Sequence, residues 1–223
     1  MFNTLTALFR KENLIEQALA ECHEMLALDW EMFQASTEAL RRSDDNEPKI
    51  DIADSDKRVN RYERNVRRKV ITHLSVTGDD VSAGLVVVSV VIDIERIGDY
   101  TKNIYELAKM HPPRLNGGSL EDKVADVEKR TSDLFQRTAK AFKEGDENVA
   151  REIMAEYKEQ LAADFDEIIE AVVGGKADDL SSANAAAIAL YVRYLKRISS
   201  HLRTIVTSVV NPFPRIGYKE KQL

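Results

Sequence analysis

Apolar residues recur at alternating steps of three and four through nearly the whole chain. The pattern halts at His111-Pro112-Pro113-Arg114-Leu115-Asn116-Gly117-Gly118-Ser119 and then starts again. That alternation is the spacing of a helix that buries one stripe. Two prolines end a helix, and the glycines that follow supply a turn. Three helical segments precede this break, at about 4–42, 51–75 and 80–111, and three follow it, at about 119–144, 146–172 and 181–210. The first carries Leu5, Leu8, Ile15, Leu19, Cys22, Leu26, Trp30 and Phe33, all expected in the core. The second turns Val59, Tyr62, Val66, Val70 and Leu74 inward. The β-branched run from Val86 to Ile92 could pass for a buried strand. Its seam, however, continues unbroken through Ile94, Ile97, Thr101 and Ile104 to Ala108, which favours helix. The expected fold is all-α: two pseudo-symmetric antiparallel three-helix bundles, at residues 1–111 and 119–210, with a basic tail at 211–223.

The third and sixth segments can be laid on one another without a gap. Val87, Val90, Ile94, Ile97, Thr101, Ile104 and Ala108 fall on Ile188, Tyr191, Leu195, Ile198, Leu202, Ile205 and Val209. Gly98 falls on Ser199. Beside this shared seam, the third segment carries a row of oxygen-bearing side chains, Glu95, Asp99 and Asn103, four residues apart and therefore on one side of the helix. In the sixth segment the same positions hold Lys196, Ser200 and Thr204. The seam kept in both halves serves packing. The acid row, present in one half only, is not needed for packing, and it points to a function. A glycine inside a helix costs about 1 kcal/mol against alanine, so Gly98 implies the close approach of another helix or a ligand.

The string Glu95-Arg96-Ile97-Gly98-Asp99, followed by Asn103-Ile104, resembles the signature of the PhoU family, the regulators of phosphate uptake. The resemblance extends over nearly the whole chain through helix count, the break and the motif's position. It implies two three-helix bundles, each able to hold iron or another hard metal on paired acid motifs. The second motif falls on the preceding helix, at Asp56-Lys57-Arg58-Val59-Asn60, and ends in Asn60 where the family has an acid. The candidate metal residues are therefore Asp56, Asn60, Glu95 and Asp99, at one site at most. Antiparallel neighbours with this spacing can bring the two pairs together. Massed carboxylates repel and raise one another's pKa, and a hard di- or trivalent cation held by oxygen ligands relieves the repulsion. Arg96 and Lys102 leave the helix at other angles, so the cation is expected to do this rather than they. The resemblance further implies a non-enzymatic adaptor between a phosphate transporter and a sensor histidine kinase.

Composition sets the remaining limits. A net charge of −6 disfavours nucleic-acid binding by overall field. The single cysteine, Cys22, sits on the apolar stripe and allows neither an internal disulfide nor a multi-cysteine metal site. The start lacks the basic-then-apolar pattern of a signal peptide, and no apolar run is long enough to span a bilayer. These features point to a cytoplasmic protein, peripheral to a membrane at most and free to form a homo-oligomer. Arg58, Arg61, Arg64 and Arg68 line one face of the second helix, where neighbouring acids are expected to pair with them. Two other readings compete. A carboxylate-bridged di-metal enzyme typically uses Glu-x-x-His pairs, and none of His23, His73, His111 or His201 has a glutamate three residues before it. A helical scaffold with a vestigial site differs from the regulator only in metal occupancy.

Overall fold

The computed structural model describes residues 14–44, 47–111 and 114–220. Its helices are α1 (Leu14–Arg41), α2 (Ile52–Thr77), α3 (Val81–Met110), α4 (Glu121–Glu144), α5 (Glu147–Glu156), α6 (Ala162–Val173) and α7 (Ser182–Val210). No strand occurs among the described residues, and 85–92 lies wholly within α3. The expected start of the first helix, with Leu5 and Leu8, lies outside the described residues, as do Pro112 and Pro113.

The helix ends follow local chemistry. Asp51, Asp146 and Ser181 cap α2, α5 and α7 by accepting hydrogen bonds from backbone N–H groups of the first turn, which otherwise have no partner inside the helix. Gly78 and Gly145 close α2 and α4 at φ 69° and 65°, a left-handed conformation that glycine adopts without steric cost. Asp79 and Asp80 read as N-caps for α3. Asp80 does hold the N-cap position, but at φ 56° and with no side-chain cap hydrogen bond.

The helix expected over 146–172 is interrupted. Between α5 and α6 the backbone widens into a π-helical segment, Tyr157–Leu161. Its apolar positions, Ile153, Tyr157, Leu161 and Phe165, fall at three consecutive steps of four. A regular α-helix would carry such a stripe about 40° further round at each step. The wider π turn takes up part of that drift, and Ile153, Leu161 and Phe165 are all buried.

α1, α2 and α3 pack on one another, as do α4 to α7, and α3 lies along α7 to join the two sets. One contiguous apolar cluster runs through both. Along the join, counterpart residues meet. Phe33 on α1 faces Phe135 on α4 with ring centroids 5.9 Å apart. Tyr100 on α3 stacks on His201 on α7, also at 5.9 Å. His201 Nδ1 lies 2.7 Å from Asp93 Oδ1, while Tyr100 also packs against Tyr194. The break after α3 is fixed at the end of α1: the N–H of buried Leu115 donates to Leu40 O at 2.9 Å. Beside it, buried Glu128 of α4 accepts from Arg41 at the end of α1, from Arg42 just beyond it and, at 2.8 Å, from the Tyr191 hydroxyl of α7.

Cys22 is buried, and burial together with the charge of Glu21 pushes its thiol up to about 12, so it packs as a small apolar group. Trp30 is only half-buried but does pack against the core.

Candidate functional site

The acid row of α3 lies against an acid that the sequence reading passed over. Asp29 sits in the middle of α1, with buried Leu26 and Phe33 one turn to either side. It is completely buried, and neither carboxylate oxygen has a hydrogen-bond partner. It opposes Gly98. A Cβ at position 98 would stand 2.7 Å from Asp29 Oδ1 and 3.2 Å from Val59 Cγ1 of α2. Gly98 thus leaves the space in which α1 brings a carboxylate against α3, which is the close approach its place in the helix implied.

Asp56, Glu95 and Asp99 all surround Asp29 electrostatically. Burial first, then the charges of Glu95, Asp56 and Asp99, hold the Asp29 carboxyl well above the usual range. Glu95 is raised too, by burial and by Asp99 and Glu63, against the opposing pull of Arg96 and Arg67. Asn60, half-buried beside them, donates from Nδ2 to Asp56 O of its own helix at 2.9 Å. Asp29 thus lies within the electrostatic reach of Asp56, Glu95 and Asp99, while Asn60 turns its amide back to its own helix.

The cations of α3 do reach this group, contrary to the angles read from the helix. Lys102 Nζ lies 3.2 Å from Asp56 Oδ2. Arg96 stands 3.7 Å from Glu95 and 3.6 Å from Asp99. The reason is side-chain length: an arginine three residues before an aspartate faces it across one turn, and a lysine stem can cross to the neighbouring helix. Burial works against the Lys102 charge, but the hydrogen bond to Asp56 and the nearby acids outweigh it and raise its pKa.

The second half holds nothing of the kind among the described residues. Ser199, in the place of Gly98, is buried, and its hydroxyl meets that of Thr131 on α4 at 3.2 Å. Laying Phe33 on Phe135 puts Asp29 on Thr131, so a neutral hydroxyl pair replaces the carboxylate and glycine. Lys196 pairs with Asp166 instead.

The donor set is oxygen-only, which suits a hard cation, and Asp29 is a buried carboxylate without a partner, which a cation would satisfy. The side chains are not drawn into a closed coordination shell: no group of three or more His, Cys, Asp or Glu among the described residues stands ready to hold a metal. Asp29 could have been found from sequence, because it lies on the Cys22, Leu26, Phe33 stripe at a step of three and then four.

A model of the PhoU domain matches residues 22–108, the stretch that holds all of these acids. No curated protein matches the chain. Two solved structures are similar over nearly its full length. PhoU from Pseudomonas aeruginosa shares 20% identity at a TM-score of 0.75, covering 88% of this chain and 95% of that one. The phosphate transport system regulatory protein PhoU from Streptococcus pneumoniae shares 16% at 0.70, covering 91% and 94%. Residues 22–108 thus match the PhoU domain, and the chain as a whole has the fold of these two PhoU structures.

Proposed function

We propose that the chain is a non-enzymatic cytoplasmic regulator of phosphate uptake, linking a phosphate transporter to its sensor histidine kinase, and that one hard cation, iron or another, binds at its acid cluster. The regulatory reading rests on the PhoU domain match and on the shared fold. No helix among the described residues is long and apolar enough to cross a membrane, so contact with membrane-bound partners falls to the protein's surface.

The metal reading rests on one observation: Asp29 is completely buried with both oxygens unpartnered, beside three further carboxylates. Asp29, Asp56, Glu95 and Asp99 would hold the cation, with the neutral Asn60 as a weaker oxygen donor. The cation would neutralise the cluster, and Lys102 and Arg96 would give up their present pairs. A second reading is favoured by those same pairs: a scaffold in which Lys102, Arg96 and a proton on Asp29 satisfy the acids without metal.

Metal analysis of tag-free protein and of its Asp29→Ala and Glu95→Ala variants separates the two. Metal that co-purifies with the native chain and is lost from both variants supports the site; metal-free native protein that stays metal-free after incubation with iron or manganese refutes it. For regulation, a phosphate-responsive reporter should be derepressed in phosphate-rich cells lacking the chain. Unchanged reporter output in those cells would refute the regulatory reading.

A further inference from the structure

The arginine row of α2 is not paired as its sequence suggests. Arg58, Arg61, Arg64 and Arg68 are all exposed, and among the described residues none of them makes an ion pair or side-chain hydrogen bond. The acid within reach, Glu63, is taken by Arg67 at 2.7 Å. The physical reason is the helix wheel. Val59, Val66 and Val70 are buried against the bundle, and at about 100° per residue Arg61, Arg64 and Arg68 point almost directly away from them. Asp56 and Glu63 lie on the flank that turns toward α3.

The charge is concentrated. α2 carries seven Lys and Arg against three Asp and Glu, in a chain whose net charge is −6. Its outer face is therefore a basic patch on an acidic molecule. That face is the convex side of one helix about 39 Å long, with no wall on either side to grip an extended peptide. It has no apolar seam for a partner helix either; after the arginines, Ile71, at 65% exposed, is the large apolar side chain on that face. A row of unpaired guanidinium groups on a convex rod can still lie along a flat array of phosphates, which Arg recognises through paired N–H donors.

We infer that the outer face of α2 docks on the surface of an anionic phospholipid bilayer, with Arg61, Arg64 and Arg68 at its centre and Arg58 at its edge. Each cation brought near such a surface adds to the attraction, and salt screens it.

The test is co-sedimentation of the full chain with vesicles of phosphatidylcholine alone and with about one-third phosphatidylglycerol. The native chain should bind only the anionic vesicles at about 0.1 M salt and release at about 0.5 M. Joint replacement Arg61→Gln, Arg64→Gln and Arg68→Gln should lower the partition coefficient by roughly 100-fold. Removing equal charge from exposed α4 positions, by Lys129→Gln, Lys140→Gln and Lys143→Gln, should lower it less than about threefold. Circular dichroism checks that both triple variants are folded. Failure of the native chain to bind anionic vesicles, or equal loss in the two triple variants, overturns the proposal. Binding to a soluble polyglutamate but not to vesicles also overturns it, in favour of an acidic protein partner.

Discussion

Replacing Asp29 by asparagine should stabilise the metal-free protein at neutral pH. Asparagine keeps the shape and cannot ionise. The native carboxyl is raised well above its ordinary value, by burial first and then by three neighbouring carboxylates. For an acid shifted in this direction the charged form is the one disfavoured. Its stability is therefore complete below the unfolded-state pKa, about 3.9, and declines as pH rises above that value, until the folded-state pKa is passed. The slope is about 1.36 kcal/mol per pH unit while the folded state retains the proton. Retention up to pH 7 sets a ceiling of about 4 kcal/mol, and relaxation around the site makes about 1–4 kcal/mol the expected gain of Asp29→Asn. Urea unfolding in chelator between pH 4 and 7.5 measures this. The two proteins should be nearly equal at pH 4 and diverge as pH rises. Manganese at about a thousand times its dissociation constant should stabilise the native chain by about 4.1 kcal/mol, enough to cancel or reverse the order at pH 7, and leave the variant unmoved. A variant that is less stable by the same amount at every pH would refute the reasoning, since Asp29 would then act through shape alone.

Three further outcomes are expected. Lys102→Gln frees Asp56 from its 3.2 Å pair and should tighten manganese binding measured by calorimetry; weaker binding would mean that Lys102 orders the site rather than competes for it. Gly98→Ala places a methyl 2.7 Å from Asp29 Oδ1 and should cost about 1–3 kcal/mol despite alanine's better helix propensity, so a variant as stable as the native chain in urea would contradict the close approach. Glu128→Ala strips half-buried Arg41 and buried Tyr191 of a shared acceptor while leaving Arg41 its pair with Glu121, and should cost about 1–3 kcal/mol, read as a lower thermal midpoint; a shift within error would show that the network contributes nothing.

The helices were legible because their signal is repeated: each stripe extends over several turns, and proline, glycine and capping residues punctuate the ends. Even the π segment left a trace, in three successive steps of four. The acid row was legible for another reason, its absence from the second copy. Asp29 was not read because an acid on a core stripe is easily passed over when Trp30, next to it, continues the apolar pattern. The ion pairs of Arg96 and Lys102 depend on how long side chains bend, and residue spacing does not encode that. The unpaired arginines of α2 were legible from spacing but not read: on the helix wheel Asp56 and Glu63 turn to one flank, away from Arg61, Arg64 and Arg68.

The join between α3 and α7 has one more consequence. Where like halves meet, the same contact occurs twice, once in each direction. In the overlay that lays Gly98 on Ser199, His201 is the counterpart of Tyr100, and Tyr194 that of Asp93. One occurrence is now a hydrogen-bonded His201 and Asp93, 2.7 Å apart; the other is an aromatic pair, Tyr100 and Tyr194, with centroids 6.2 Å apart. Two identical subunits could not hold both versions, because any change would be copied into each. A single chain carrying both halves is free of that constraint, and one end can specialise while the other serves only as its mate.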